Sequence, residues 1–435
     1  MSGPALALVV QSSPRPALKI WDVKRESCVE ESTSSDSASY SWAKAVAADF
    51  TTWDILLCTR KSYLELWDMR KLHDPVAISA PNVGGTKTLR ADFPAKRALS
   101  SSADGVVHVV DLSSSLHTMK SLPGHMDEVT WASVDWGSEN NQVIRAATIS
   151  VEQDVLFWDV AWSQLQLPPE DQQSENAGDS AEPTQHPFWH PRRLTEGHQY
   201  RSRVAAYNAT ARYNQISAFT GSADGMVHSW IVDDMDHDHL HRGGSPLVGH
   251  TDQVTSLVAD WHDRFVLSGS CDGTLRLWNF AGHHCEGVLV GHQGSIRTTV
   301  ADWTQRKAIS TSMESVHIWD LGTRQEALER SPIATLEVQG GVCEMLATFS
   351  ARSAAFVSRM GSIEFWDLDH SARIYSLQGH PGTLFAVHLG EHVEASKTTE
   401  SAEMGSGARE GLEWMGSLTP ALAGSCASGW SRSAF

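Results

Sequence analysis

The chain has 435 residues, 41% apolar and 20% charged, and its 34 basic against 52 acidic side chains leave a net charge of −18. That length holds two or three ordinary domains or one large closed architecture. The acidic balance speaks against a nucleic-acid-binding body, which needs Lys and Arg clustered against phosphate.

The first apolar run, from Ala5 to Val10, is far short of the roughly 18–20 residues that span a bilayer, so no membrane contact is expected. The run has no basic flank and no small-residue cleavage site, and Ser2 stands where a myristoylated glycine would. Neither a secretory signal nor an N-terminal lipid is expected. Cys28, Cys58, Cys271, Cys285, Cys343 and Cys426 are scattered, with no CxxC pair. They fit reduced thiols in the cytoplasm or nucleus better than a disulfide framework or a structural zinc.

Tryptophan is out of proportion, with 17 residues against 12 Phe and 6 Tyr, and a repeat that reuses it runs along the chain. Short alternating runs end on Trp-Asp or a relaxed version of it at Lys19-Ile20-Trp21-Asp22, Glu65-Leu66-Trp67-Asp68, His108-Val109-Val110-Asp111 and Leu156-Phe157-Trp158-Asp159. They continue at Val227-His228-Ser229-Trp230, Arg276-Leu277-Trp278-Asn279, His317-Ile318-Trp319-Asp320 and Glu364-Phe365-Trp366-Asp367. Successive anchors lie 46, 43, 48, 72, 48, 41 and 47 residues apart, so the fourth interval holds an insertion. A Gly-His pair precedes several anchors, at Gly124-His125, Gly197-His198, Gly249-His250, Gly291-His292 and Gly379-His380. An Asp-aromatic pair lies between, at Asp49-Phe50, Asp92-Phe93, Asp135-Trp136, Asp260-Trp261 and Asp302-Trp303. These pairs recur where first and second strands should join, so they read as structural turns.

Inside each period the apolar residues alternate with period 2. The clearest unit predicts strands over 254–259, 264–270, 274–278 and 286–290. Its second and third strands join at Cys271-Asp272-Gly273, where Asp-Gly supplies the positive φ of a tight turn. Four short strands per unit mean β-structure throughout.

Three marks in fixed order at a period near 45 resemble the WD-repeat β-propeller family, over residues 5–390. The resemblance implies an all-β fold, a single closed β-propeller of four-stranded antiparallel blades. Eight anchors point to eight blades, with seven as the alternative. It also implies a tetrad of His, Ser or Thr, Asp and Trp that ties each blade by hydrogen bonds. His198, Thr220, Asp224 and Trp230 match it at every position, as do His250, Ser268, Asp272 and Trp278. His125, Thr148, Glu152 and Trp158 match with Glu for Asp. The unit of His292 and Trp319 offers only Glu314 in a shifted register, and the unit ending at Val110 keeps Ser100 and Asp104 without Trp or Gly-His. The units ending at Trp67 and Trp366 lack both the His and the turn Asp, so these blades should be tied less well by polar side chains.

The last Gly-His is followed by an orphan first strand over 383–389. Placed beside residues 6–10 it completes the first blade. Residues 1–390 are therefore expected to form the propeller, closed by strand exchange between the termini. An acidic insertion over 163–191 carries five Pro, five acidic residues and no Lys or Arg. Residues 391–435, with 21 Ser, Gly or Ala among 45, read as a flexible tail.

No P-loop, GxGxxG, GxSxG or HExxH is present. The Gly-His histidines recur with the blade, as a structural role does and an active site does not. No catalytic residue, cofactor or metal is expected. The function expected is a non-enzymatic scaffold for proteins or peptides, its acidity favouring basic partners, with a monomeric propeller acting inside complexes. The resemblance places Asp127, Tyr200, Arg201, Asp252 and Gln293, just after the Gly-His marks, on one contact face with the turn residues Ala103, Ala223 and Cys271. One alternative is a substrate receptor of a cullin-RING ubiquitin ligase, since Trp67-Asp68-Met69-Arg70 is similar to the Trp-Asp-x-Arg signature of such receptors and makes Arg70 the contact. A second is a metal-binding or enzymatic propeller that uses the His/Asp-rich loop 233–241, in which Asp233, Asp234, Asp236, His237, Asp238, His239 and His241 could surround an ion.

Overall fold

A computed structural model describes residues 6–11, 17–32, 45–59, 62–79, 85–113, 116–136, 143–151, 155–161, 192–193, 202–207, 216–232, 240–322, 329–338, 340–348, 352–358, 361–378 and 384–390. Every regular element among them is a β-strand, and the strands form eight sheets. Blade 1 runs from its inner to its outer edge as Leu384–Gly390, Leu6–Gln11, Ala17–Asp22 and Ser27–Glu31. Blades 2 to 8 begin at Ala45, Thr86, Val129, Ser202, Val254, Thr298 and Val342 and follow the chain outward as antiparallel meanders.

The clearest repeat of the sequence becomes blade 6, with strands Val254–Asp260, Phe265–Ser270, Thr274–Asn279 and His284–Val290. The Asp-aromatic pairs sit where first strands turn into second strands, and the carboxylates of Asp49, Asp92, Asp260 and Asp302 cap those turns. Asp260 accepts the amides of His262 and Asp263 at 3.0 and 3.2 Å, and Asp302 accepts those of Thr304 and Gln305 at 2.8 and 3.1 Å. This is the local backbone bonding that short Asp side chains favour.

The apolar core lies between blades. Each sheet buries both faces, so inward and outward residues of a strand pack against different neighbours. Leu8, Ile20, Ile55 and Trp67 join blades 1 and 2, and Leu267, Leu277, Ile296 and Trp319 join blades 6 and 7. Ala7 and Val9 of blade 1 pack on Leu346 and Phe365 of blade 8, which closes the ring. Backbone hydrogen bonds also close the ring, because the last described strand completes the first blade in register from Leu6↔Gly390 to Gln11↔Leu384. Two strand edges that would otherwise face water are thereby paired.

One feature has no mark in the sequence. Glu329–Arg330 leaves blade 7 and adds to the outer edge of blade 6 as a fifth, parallel strand, with Val288↔Glu329 and Leu289↔Arg330 in register. The chain then returns to blade 7 at Ala334–Leu336.

Candidate functional site

The face that carries the Gly-His marks is built from the anchor tryptophans outward. In blade 6 the Trp278 indole donates to Ser268 Oγ at 2.8 Å, Ser268 lies 2.7 Å from His250 Nε2, and His250 Nδ1 lies 2.9 Å from Asp272 Oδ2. Every donor is matched when Ser268 donates to Nε2 and Nδ1–H donates to the carboxylate. Asp272 also accepts the Thr251 amide, the Thr274 amide and the Thr274 hydroxyl. Burial alone would raise this carboxyl. The hydrogen bonds from His250 and Thr274 outweigh it and hold Asp272 well below the ordinary carboxylate range.

Blade 4 repeats the pattern as far as it is described, with Trp158 donating to Thr148 at 2.8 Å and His125 Nε2 at 2.7 Å from the same hydroxyl. Trp230 donates to Thr220 at 2.8 Å in blade 5. Glu152 and His198, which should complete these two blades, lie outside the described residues, while Asp224 caps its own turn by accepting the Met226 amide at 2.8 Å.

Blade 7 corrects the expectation of a broken tetrad. Trp319 donates to Ser310 at 2.8 Å, His292 Nε2 lies 2.7 Å from that hydroxyl, and His292 Nδ1 lies 2.9 Å from Ser315 Oγ. Ser315, not Glu314, takes the place of the turn Asp. No carboxylate among the described residues supports this imidazole, and burial followed by the nearby His317 pushes it down to about 3.

Blades 2 and 8 show no His–Asp relay among the described residues, and their indoles are tied instead to a glutamate two residues earlier on the same strand. Trp67 donates to Glu65 at 3.2 Å and Trp366 to Glu364 at 3.1 Å. Both glutamates are buried, since residues i and i+2 of a strand share a face. Arg373 adds an ion pair to Glu364 at 3.3 Å, and burial raises the Glu65 carboxyl despite the indole bond. In blade 3, Val110 leaves the buried Ser100 hydroxyl with no partner among the described residues.

These ties hold the loops of one face together. The glycine of each Asp-Gly turn meets the Gly-His loop of the next blade. A Cβ on Gly225, at φ 79°, would lie 2.7 Å from the His250 carbonyl oxygen and 3.0 Å from that of Asp252. One on Gly273, at φ 80°, would lie 3.1 Å from the His292 carbonyl oxygen. The contact is possible because glycine has no side chain and tolerates positive φ. Ala103, Ala223 and Cys271 in these turns therefore stand beside Asp127, Asp252 and Gln293 on one face, with Asp252 and Gln293 exposed. Tyr200 and Arg201 lie outside the described residues.

Arg70 is on the opposite face. Its guanidinium stacks 5.6 Å from the Trp53 ring and donates to the Thr52 carbonyl at 3.2 Å, with the side chain 60% exposed. Of the loop 233–241, residues 233–239 lie outside the described residues. No cluster of three or more His, Cys, Asp or Glu suited to a metal occurs among the described residues.

Comparison with known proteins agrees with this architecture. The model of the WD domain, G-beta repeat, matches residues 244–279. Striatin of Mus musculus is 38% identical over 73 residues, 15% of this chain and 9% of striatin. WD repeat-containing protein 82 of Drosophila melanogaster is 27% identical over 203 residues, 44% of this chain and 60% of that protein. The chain thus spans less than two thirds of either relative. A crystal structure of the computationally designed protein Ika8 covers 80% of the chain and 88% of its own with a TM-score of 0.55 at 18% identity, a likeness of fold alone. Period, tetrads and ring converge on a WD-repeat β-propeller, and the family model matches one of its repeats, residues 244–279.

Proposed function

We propose that the chain is a non-enzymatic scaffold that grips basic partner proteins or peptides on the Gly-His face. The observation that carries this reading is the mixture of exposed apolar and acidic side chains there. Met126 directly follows His125, Val248 directly precedes Gly249, and Met313 lies in the turn between second and third strands of blade 7. They are 79%, 62% and 43% exposed. Asp127 and Asp252 stand among them, each spending one oxygen on the following amide, at 2.6 and 2.7 Å, and leaving the other for a partner. Flexible Met surfaces beside carboxylates suit amphipathic basic segments.

The test is affinity purification with mass spectrometry of the wild type, of Asp127→Lys/Asp252→Lys and of Arg70→Ala. The reading expects the double reversal to lose partners that Arg70→Ala keeps. Partners indifferent to the reversal would place the grip elsewhere. Loss of a ligase adaptor in Arg70→Ala alone would transfer the argument to the cullin-RING receptor reading, for which the exposed guanidinium is the support.

A further inference from the structure

Among the described residues, only blade 7 sets a second imidazole against the one in its relay. The His292 and His317 rings stand 4.1 Å apart, tilted by 44°, and both residues are buried. Their side-chain partners are hydroxyls. His292 is held between Ser310 and Ser315. His317 lies 3.0 Å from the Thr335 hydroxyl and 3.4 Å from that of Ser315, and it also bonds the Gly291 backbone. Blade 6 answers the same need with the carboxylate of Asp272, and it carries Arg276 where blade 7 carries His317, two residues before the anchor Trp. The charged side chains nearest in blade 7 are Arg297 before the first strand, Glu314 in the turn and Glu337 after the fourth strand, and none of them bonds either imidazole. From the side of blade 6, Asp272 is committed to His250, Glu286 bonds His284, and Arg330 of the added strand bonds the Leu321 carbonyl, with Glu329 exposed beside it.

Such a pair is stable only while it is uncharged. An imidazolium here would be desolvated with no carboxylate to hold it, and two would repel each other at this distance. Burial lowers both imidazoles, opposed in His317 by the bond to Gly291. An opened blade gives the rings to water, where they take protons at about pH 6.5. The closed form binds protons less readily than the opened one, so closure is fully favoured above that pH and weakens as pH falls below it. The same bonds hold part of the Gly-His face. The Ser315 amide donates to Ser312 at 3.1 Å and closes the turn that presents Met313. The His292 carbonyl, just before Gln293, meets Gly273 of the neighbouring turn.

We propose that the stacked His292 and His317 form a proton-released latch on the blade 7 part of the Gly-His face. Closed, it fixes the Met313 turn and Gln293; in mild acid it lets them go and weakens the grip on a partner. The gating of a partner rests on the reading of that face as the binding surface, while the latch itself is measurable in the free protein.

Hydrogen exchange of the full chain, read by mass spectrometry and corrected for the intrinsic pH dependence of amide exchange, tests the latch. Between about pH 7.5 and pH 5.5 the turn 312–315 and the strand Ala334–Leu336 should open about tenfold more for each imidazole that reaches water. The equivalent turn of blade 6, Cys271-Asp272-Gly273, should change clearly less. Ser315→Asp supplies the kind of carboxylate blade 6 has and should remove most of the rise. His317→Leu gives blade 7 the residue type that blade 4 has in Leu156, should remove about tenfold of the rise, and carries the test if Ser315→Asp does not fold. Equal opening of the two turns, or a rise that survives in both variants, overturns the latch. Partners captured at neutral pH should leave the wild type at about pH 6 and stay on the folded variant. If the turn opens in acid but partners that Asp127→Lys/Asp252→Lys releases remain bound, the gating is overturned and the reading of the face stands. If no partner answers to that reversal, the reading of the face fails by itself, and exchange alone supports or overturns the latch.

Discussion

In blade 6 the Trp278 indole is held by a relay that passes through Ser268 on the second strand to His250 in the entering loop and on to Asp272 in the turn. In blade 8 the Trp366 indole is held by Glu364, its neighbour but one on the same strand. Both solutions satisfy a buried N–H that would otherwise be orphaned. They differ in reach. The relay ties together the entering loop, the second strand, the turn and the anchor strand, so that placing the indole also places the Gly-His face. The glutamate reaches only the indole and Arg373 of the outermost strand and leaves the loops of its blade to packing. The blades with described relays, 4, 6 and 7, are therefore the ones with a preorganised contact face, and Asp127, Asp252 and Gln293 belong to them.

The largest effect is expected where this comparison is broken outright. Trp278→Ala removes a fully buried indole that also packs against Phe219, Val266 and Phe280. It should cost about 3–5 kcal/mol in chemical unfolding. An unchanged midpoint would contradict the role assigned to the anchor.

How far the comparison was legible in the sequence depended on whether the spacing was local. Tetrads with ten residues from hydroxyl to Trp, such as Ser268 to Trp278, could be read directly. Ser310 was missed because its blade has a shorter turn and only nine residues separate it from Trp319. Glu65 and Glu364 were missed because a glutamate in an alternating strand reads as a solvent-facing residue. The clue was present in period 2 itself, which puts a residue two before the Trp on the buried Trp face. The parallel strand Glu329–Arg330 had no such clue, since two residues carry no periodicity and their register is set by blade 6.

A middle-sized effect sharpens the local solution. Glu364 is 1% exposed and accepts both the Trp366 indole and Arg373. Glu364→Leu keeps the volume but strands the indole N–H, and should cost about 1–3 kcal/mol. Glu364→Gln keeps an acceptor and should cost clearly less. Urea unfolding of the pair decides the matter: equal losses would show that the carboxylate charge toward Arg373, not the bond to the indole, is what blade 8 needs.

The smallest effect separates the two solutions by their response to acid. Asp272 has its folded-state pKa held below the unfolded value, so its contribution is present at neutral pH and is lost as pH falls below the ordinary carboxylate range. Glu65 has the opposite sign. Burial outweighs the indole bond and raises its folded-state pKa, so the folded protein binds the proton more tightly than the unfolded chain does. Its contribution is complete below about pH 4, where both states are protonated, and declines as pH rises through the raised folded value. Glu65→Gln keeps an oxygen for Trp67 and removes the titration. Its stability relative to the wild type should therefore increase from pH 4 to pH 7 in urea unfolding. A difference that stays constant over that range would mean that Glu65 ionises in the blade as freely as it does in water, and that of the two groups only Asp272 makes its blade answer to acid.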